Sequence, residues 1–463
     1  MRDGLRAIQP AAAILLLPLV LAGCIAVAPK ADYERTARII QEQTGQPETY
    51  LPDMDDAAIR LKVTEMLGDG LTVDEAVRIA LLNNPRLQAV FHDVGVSRAE
   101  VVRASLPANP SLAFSDLAPD GAGLREITTS VSQNVMDLLL IPFRRKVAEI
   151  QLEQSQLAVA QQAVEMIGEV RRACYELLGL QKAEEFTQES LALAERSAAM
   201  ALRRMDAGEA NRLDVNLARS DALDVKRELL TLRRDRQLAE AALARLLGLN
   251  RWDVSWKLVG DLPRPSALPG TPELLRLAVK QRLETRLAEM RISEAEKQAA
   301  LEQMSIFTDI SVGFESQRAG APPDLRGPTL DVVMPLWHQN QPAVAKAMLM
   351  AGREKRQYMA VLDTVVQDVQ KAAAAAQADA QLIRFYEEEV LPLNRENVDA
   401  TARSYEGGEH DILRLTQAQR SLIEQRRAYV NVLREYATAI ADLDQAMGGR
   451  IGPQPAPASP QRQ

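Results

Sequence analysis

A chain of 463 residues that is 47% hydrophobic and 25% charged can bury a sizeable core and is not disordered overall. Its formal charge of −8 and pI near 5.3 lack the basic footprint a nucleic-acid binder needs, so that partner is excluded. Two cysteines, Cys24 and Cys174, and three histidines, His92, His338 and His410, make neither a disulfide framework nor zinc-ligand spacing. No phosphate-loop, dinucleotide, zinc-protease or nucleophile-elbow run occurs, so no catalytic residue, metal site or cofactor is expected.

In chain order, Arg2 and Arg6 precede an apolar run from Ala11 to Gly23. It is too short to span a membrane, which takes about 20 residues, but it fits a signal h-region. The run ends Leu21-Ala22-Gly23-Cys24, which resembles the bacterial lipobox. That resemblance implies a lipoprotein signal peptide over 1–23 and acylation of Cys24. Each acyl chain then contributes about 0.8 kcal/mol per buried CH₂ to the anchor in outer-membrane lipid. By the same resemblance, Ile25 rather than Asp after the cysteine implies export to the outer membrane, with residues 24–70 as an anchor segment.

An internal repeat follows. Gly208-Glu209 recurs as Gly408-Glu409, and Leu213, Val215 and Ala218 recur as Leu413, Leu415 and Ala418, all 200 residues on. Gly248 recurs as Gly448. Glu75-Ala76-Val77-Arg78 pairs with Glu273-Leu274-Leu275-Arg276 at an offset of 198. The chain therefore reads as a tandem duplication over 71–250 and 270–449, joined by a linker at 251–269 and ended by a Pro/Gln/Ala-rich tail, 450–463, expected to be disordered.

Each repeat combines long helices with one β-hairpin. The proline-free stretch after Pro142 predicts a helix over 144–206, about 90 Å long, ended by Gly208. A second helix then runs to Leu247. Val225, Leu229, Leu232, Ala239, Leu243 and Leu246 make a coiled-coil seam on it, as do Tyr429, Val432, Tyr436, Ala439, Leu443 and Ala446 in the other repeat. Hairpins are expected over 110–136 and 306–337. In the first, Ile127, Thr129, Val131, Gln133 and Val135 alternate with Thr128, Ser130, Ser132 and Asn134. In the second, strands are read from Ile306 to Phe314 and from Leu330 to Trp337, around a loop with Gly320, Pro322 and Pro323. Strands of about nine residues with one apolar and one polar face suit a membrane barrel. Two hairpins cannot close one, and open edges are not tolerated in a bilayer, so the chain must oligomerise.

This layout resembles the TolC-type outer-membrane efflux channel family. The resemblance rests on Leu71-Thr72-Val73-Asp74-Glu75-Ala76 through Asn84-Pro85, on Asn109-Pro110-Ser111-Leu112 and on the two glycine turns, and covers about 71–449. It implies a homotrimer in which each chain adds four strands to one twelve-stranded barrel, with a helical tube reaching into the periplasm. It further implies a passive conduit served by a periplasmic adaptor and an inner-membrane pump. The stretch from Ser130 to Arg145, with Ser132-Gln133 and Arg144-Arg145, is most similar to the heavy-metal efflux branch.

The family's periplasmic gate aspartate matches Asp214 and its gate tyrosine matches Tyr405. The expected arginine is His410, and the acidic pore-ring positions are Arg414 and Gln417. Because an imidazole titrates near 6.5, His410 suggests a pH-sensitive gate. By the same resemblance, the adaptor docks on Gly208, Glu209, Leu213, Gly408, Glu409 and Leu413. Met334, Met348, Met350 and Met359 read as packing filler, Cys174 as a buried small hydrophobe, and Arg203-Arg204 and Arg426-Arg427 as solvated helix faces. The alternative to a channel is a lipid-anchored periplasmic coiled-coil scaffold or adaptor without a pore.

Overall fold

The computed structural model describes residues 26–68, 70–118, 120–121, 123–249, 255–306, 309–320, 323–407, 409 and 411–449. The signal run with Cys24, the residues Gly408 and His410, and the tail lie outside them. The described chain is mainly helical with four strands. It divides into two units, one of residues 26–35, 92–156 and 287–357, the other of 36–91, 157–286 and 358–449.

The first unit holds the sheet. Strands β1 (Ser111–Leu117), β2 (Glu126–Asn134), β3 (Ile310–Arg318) and β4 (Leu325–Val332) lie in sequence order and pair antiparallel throughout. The central β2–β3 pair joins the hairpins of the two repeats, with Val131 opposite Phe314 and Ser132 opposite Gly313. Gly313 is fixed by this closeness. A Cβ there would lie 2.6 Å from the Val131 carbonyl oxygen and 2.7 Å from Thr329 Oγ1.

Three boundaries differ from those expected on sequence. The long helix, expected from Arg144, begins at Val135 and runs to Asp206, 72 residues with Pro142 inside. Asn134 caps its start by accepting the Asp137 N–H at 3.0 Å. Arg144 braces the proline turn, pairing with the Asp137 carboxylate at 2.7 Å and donating to its carbonyl at 3.2 Å. The second hairpin is also displaced toward its turn. Its first strand starts at Ile310 rather than Ile306, because the preceding helix persists to Met304. Its second covers Leu325–Val332 rather than Leu330–Trp337. Pro328, which lies outside the expected strand, is accommodated because β4 is an outer strand of the sheet.

In chain order the helices are α1 (Lys30–Thr44), α2 (Asp56–Leu67), α3 (Val73–Asn83), α4 (Pro85–Ser105), α5 (Val135–Asp206), α6 (Arg212–Leu246), α7 (Thr271–Gln281), α8 (Leu283–Met304), α9 (Gln341–Phe385), α10 (Leu391–Glu406) and α11 (Ile412–Ala446). The repeat is visible in their ends. Thr72 and Glu75 form a reciprocal capping box that starts α3. The α3/α4 break falls at Asn84, before Pro85, and its counterpart, α7/α8, falls at Arg282, the offset of 198 read from the sequence. Gly248 (φ 71°) and Gly448 (φ 77°) end α6 and α11 in the left-handed region. At Gly248 a side chain is further barred by the Asn83 carbonyl oxygen, 2.4 Å from an ideal Cβ.

The core of the second unit lies along the helix seams. Leu443, Ala446 and Met447 pack with Leu274, Ala278, Val365 and Val369. Tyr436 and Ala439 pack with Ala376 and Ile383. The second seam is thus largely buried, whereas Leu232, Ala239 and Leu246 of the first are half-buried. Between α9 and α10 a π-helical turn, Tyr386–Val390, precedes Pro392. The corresponding stretch of α5 is unbroken helix. Cys174 is fully buried, and burial pushes its thiol up to about 12. The folded protein is therefore expected to resist maleimide at pH 7–8.5 and to react only after unfolding; quantitative labelling of the native protein would contradict this.

Candidate functional site

Two places, one in each unit, hold the residues singled out in the sequence. In the sheet, directly opposed residues share a face, so the register sorts the side chains. One face carries Leu112, Phe114, Ile127, Val131, Ile310, Val312, Phe314, Pro328, Leu330 and Val332, with Thr129, Gln133 and Ser316 among them and Asp116, Arg318 and Arg326 toward the turns. The other carries Ser111, Ser115, Glu126, Thr128, Ser130, Ser132, Ser311, Glu315, Gln317, Thr329 and Asp331. Among the described residues nothing covers the apolar face: Leu112 is 72% exposed, Phe114 68% and Leu330 68%. Strands of seven to nine residues extend about 23–31 Å at 3.3–3.4 Å per residue. At the turn end the apolar face gives way to ion pairs, Arg125 with Asp116 and Arg318 with Asp324 at 3.3 Å.

The second place is the pair of turns at the ends of α5 and α10. Gly208 has φ 79°, and the Glu209 N–H returns to the Arg204 carbonyl at 2.8 Å. In the other repeat the Glu409 N–H returns to Ser404 at 3.0 Å. Asn211 and Asp411, 200 residues apart, cap the helices that follow. Asp214 closes the first cap, its carboxylate accepting the Asn211 N–H at 3.1 Å while its own N–H donates to Asn211 Oδ1 at 3.0 Å. Leu213 and Leu413, equivalent in the two repeats, are 63% and 49% exposed. Arg414 and Gln417 are exposed on α11.

Tyr405 sits inside this end of the unit, 3% exposed, packed with Ala201, Val215, Ala218, Ile412 and Leu415. Burial pushes its phenol above the usual tyrosine range; Asp214 and Asp411 add to the shift and Arg204 opposes it. Arg204 lies over the Tyr405 ring, 4.8 Å from its centroid, and donates to the Tyr405 carbonyl. It also approaches the Glu209 carboxylate at 3.6 Å.

Several of these partners escape a reading of the sequence. Arg204 is a packed residue, not a solvated face. Arg426, also expected to be solvated, covers the Phe186 ring at 5.3 Å and pairs with Glu189 at 3.2 Å. Arg427 pairs with Glu228. Arg420 donates to buried Asp221 at 2.6 Å, and Gln419 donates to Ser197 at 2.7 Å. Nothing in a single sequence marks such pairs, since each joins residues from 199 to 240 positions apart. Met334, Met348, Met350 and Met359 are exposed rather than packing filler.

The outer membrane efflux protein family matches residues 76–249 and 274–449, and the chain belongs to that family. The cobalt-zinc-cadmium resistance protein CzcC of Cupriavidus metallidurans is 23% identical over 385 residues, covering 82% of this chain and 90% of that protein. The pyoverdine export outer membrane protein OpmQ of Pseudomonas putida is 23% identical over 407 residues, covering 81% and 86%. The fold matches that of the outer-membrane channel OprN with a TM-score of 0.69 at 18% identity, covering 88% and 95% of the two chains. The protein is the outer-membrane channel component of an efflux system, and the tandem-repeat, mainly helical fold with few strands is that of such channels.

Proposed function

We propose that three copies of the chain close their sheets into one twelve-stranded barrel and pass cargo outward from an inner-membrane pump. The observation that supports this is the two-faced sheet, with its apolar side exposed and with β1 and β4 left as outer strands. Unpaired strand edges are too costly in hydrocarbon to persist, so closure with further copies is the physical requirement. A lipid on Cys24 adds an anchor.

In this reading the two glycine turns, with the exposed twin residues Leu213 and Leu413, receive a periplasmic adaptor, and Glu209 and Glu409 border that surface. Gly408, which lies outside the described residues, is assigned to the same docking surface. Asp214, Tyr405, His410, Arg414 and Gln417 lie at or beside the gate, Tyr405 as a packed support rather than a free contact. The cargo is a small exported solute, and the CzcC relative favours metal ions. The test is planar-bilayer conductance of the purified lipidated protein, with its mass determined in detergent. Discrete pores from a trimer are expected. A monomer that binds membranes without conducting would restore the scaffold alternative.

A further inference from the structure

Among the strand residues positive charge is confined to one face of the sheet. The polar face carries Glu126, Glu315 and Asp331, and among the described strand residues on that face there is no lysine, arginine or histidine. Both strand arginines, Arg318 and Arg326, lie on the apolar face near the turns, where each approaches Asp324, at 3.3 and 3.7 Å. The carboxylates are also evenly placed. Glu315 stands opposite Ser130, and Asp331 stands opposite Ser311, which itself opposes Asn134. On β2 the three levels are therefore residues 126, 130 and 134, a step of four residues or about 13 Å along the strand.

We infer that this face is a cation-selective wall: three levels of carboxylate with no compensating cation, favouring cationic solutes and rejecting anions. The inference rests on the channel reading above, since it needs the polar face to line a lumen. It describes a field rather than a binding site. Steps of about 13 Å are far too long for two carboxylates on different levels to hold one ion, and no group of three metal-ligating side chains occurs among the described residues. They are comparable with the screening length, about 10 Å at 0.1 M salt, so the potentials of successive levels merge at or below that concentration. Fixed charges of one sign in a low-dielectric channel raise the local concentration of counter-ions. Three carboxylates per chain put nine around a trimeric lumen.

The experiment is the reversal potential of single pores of the full-length protein in a KCl gradient, for wild type and for Glu126→Gln/Glu315→Gln/Asp331→Asn. Wild type is expected to pass potassium over chloride by more than about threefold near 0.1 M and to lose that preference at 1 M, where screening shortens to about 3 Å. The triple variant is expected to fall toward about unity at 0.1 M with its conductance retained. The salt series on wild type serves if the triple variant fails to assemble. A conducting wild-type pore without cation preference, a preference that survives 1 M salt, or one unchanged in the triple variant overturns the inference and leaves the channel reading intact. Absence of any pore overturns both.

Discussion

Gly313→Val is expected to prevent assembly of the protein in the outer membrane. Gly313 lies on the polar face where β3 meets β2, and a Cβ would sit 2.6 Å from the Val131 carbonyl, 2.7 Å from Thr329 Oγ1 and 3.0 Å from Ser132 Cβ. The first of these is backbone, which cannot rotate away. Overpacking of this kind costs about 1–3 kcal/mol, and ladder hydrogen bonds forfeited as the strands separate add about 1 kcal/mol each. The pair affected is the one that unites the two hairpins, so its loss divides the sheet. Gly327 on β4 provides the control, because a Cβ added there would meet no heavy atom within 4 Å. Gly327→Ala should leave assembly unchanged. Outer-membrane fractionation with gel migration of unheated samples reads both variants; equal recovery of Gly313→Val and wild type would refute the argument.

Arg420→Ala is expected to loosen the paired helices α6 and α11. The Asp221 side chain is 3% exposed and one of its oxygens accepts from Arg420 at 2.6 Å, while Arg420 itself is 59% exposed. Removing the cation strands a buried carboxylate, which costs about 3–5 kcal/mol where water is excluded. Water can enter from the exposed arginine side, so about 2 kcal/mol is the better figure here. That is about thirtyfold in local opening, readable as faster amide exchange over 212–225 and 412–425. The double variant Asp221→Leu/Arg420→Leu should recover most of the loss, because an apolar pair needs no compensating charge. Unchanged exchange in Arg420→Ala would mean that the carboxylate is already served by solvent.

Much of this architecture is legible in the amino-acid sequence alone. The two-residue period of Ile127–Gln133 decides which side of β2 is apolar, because a strand has only two faces. The glycine turns and the seam can be read because the duplication supplies each signal twice. Other features depend on partners that sequence does not show. Pro142 argues against helix until Arg144 and Asp137 are seen to brace its turn. Pro328 argues against strand until β4 is seen to be an outer strand. Arg204 and Arg426 look solvated because the ring that each meets is about 200 or more residues away, whereas Arg427 is exposed as expected and reaches Glu228 from the surface.

The cross-repeat ion pairs have a consequence for how duplication can alter a symmetric wall. Arg420 meets Asp221 and Arg427 meets Glu228, each pair 199 residues apart, one position short of the 200-residue offset that relates the glycine turns. If each repeat were a separate identical polypeptide, every change at such a contact would be copied into both partners at once. Acid and base could then be apportioned only within the same sequence. Fusing two copies into one chain frees them to diverge. The first carries Asp221 and Glu228 where the second carries Ser421 and Ala428, and the second carries Arg420 where the first carries Ser220, while arginine stands in both repeats at 227 and 427. The chain has thereby acquired a polarity between its halves, acid on the first and base on the second, so that neither half could replace the other in these pairs.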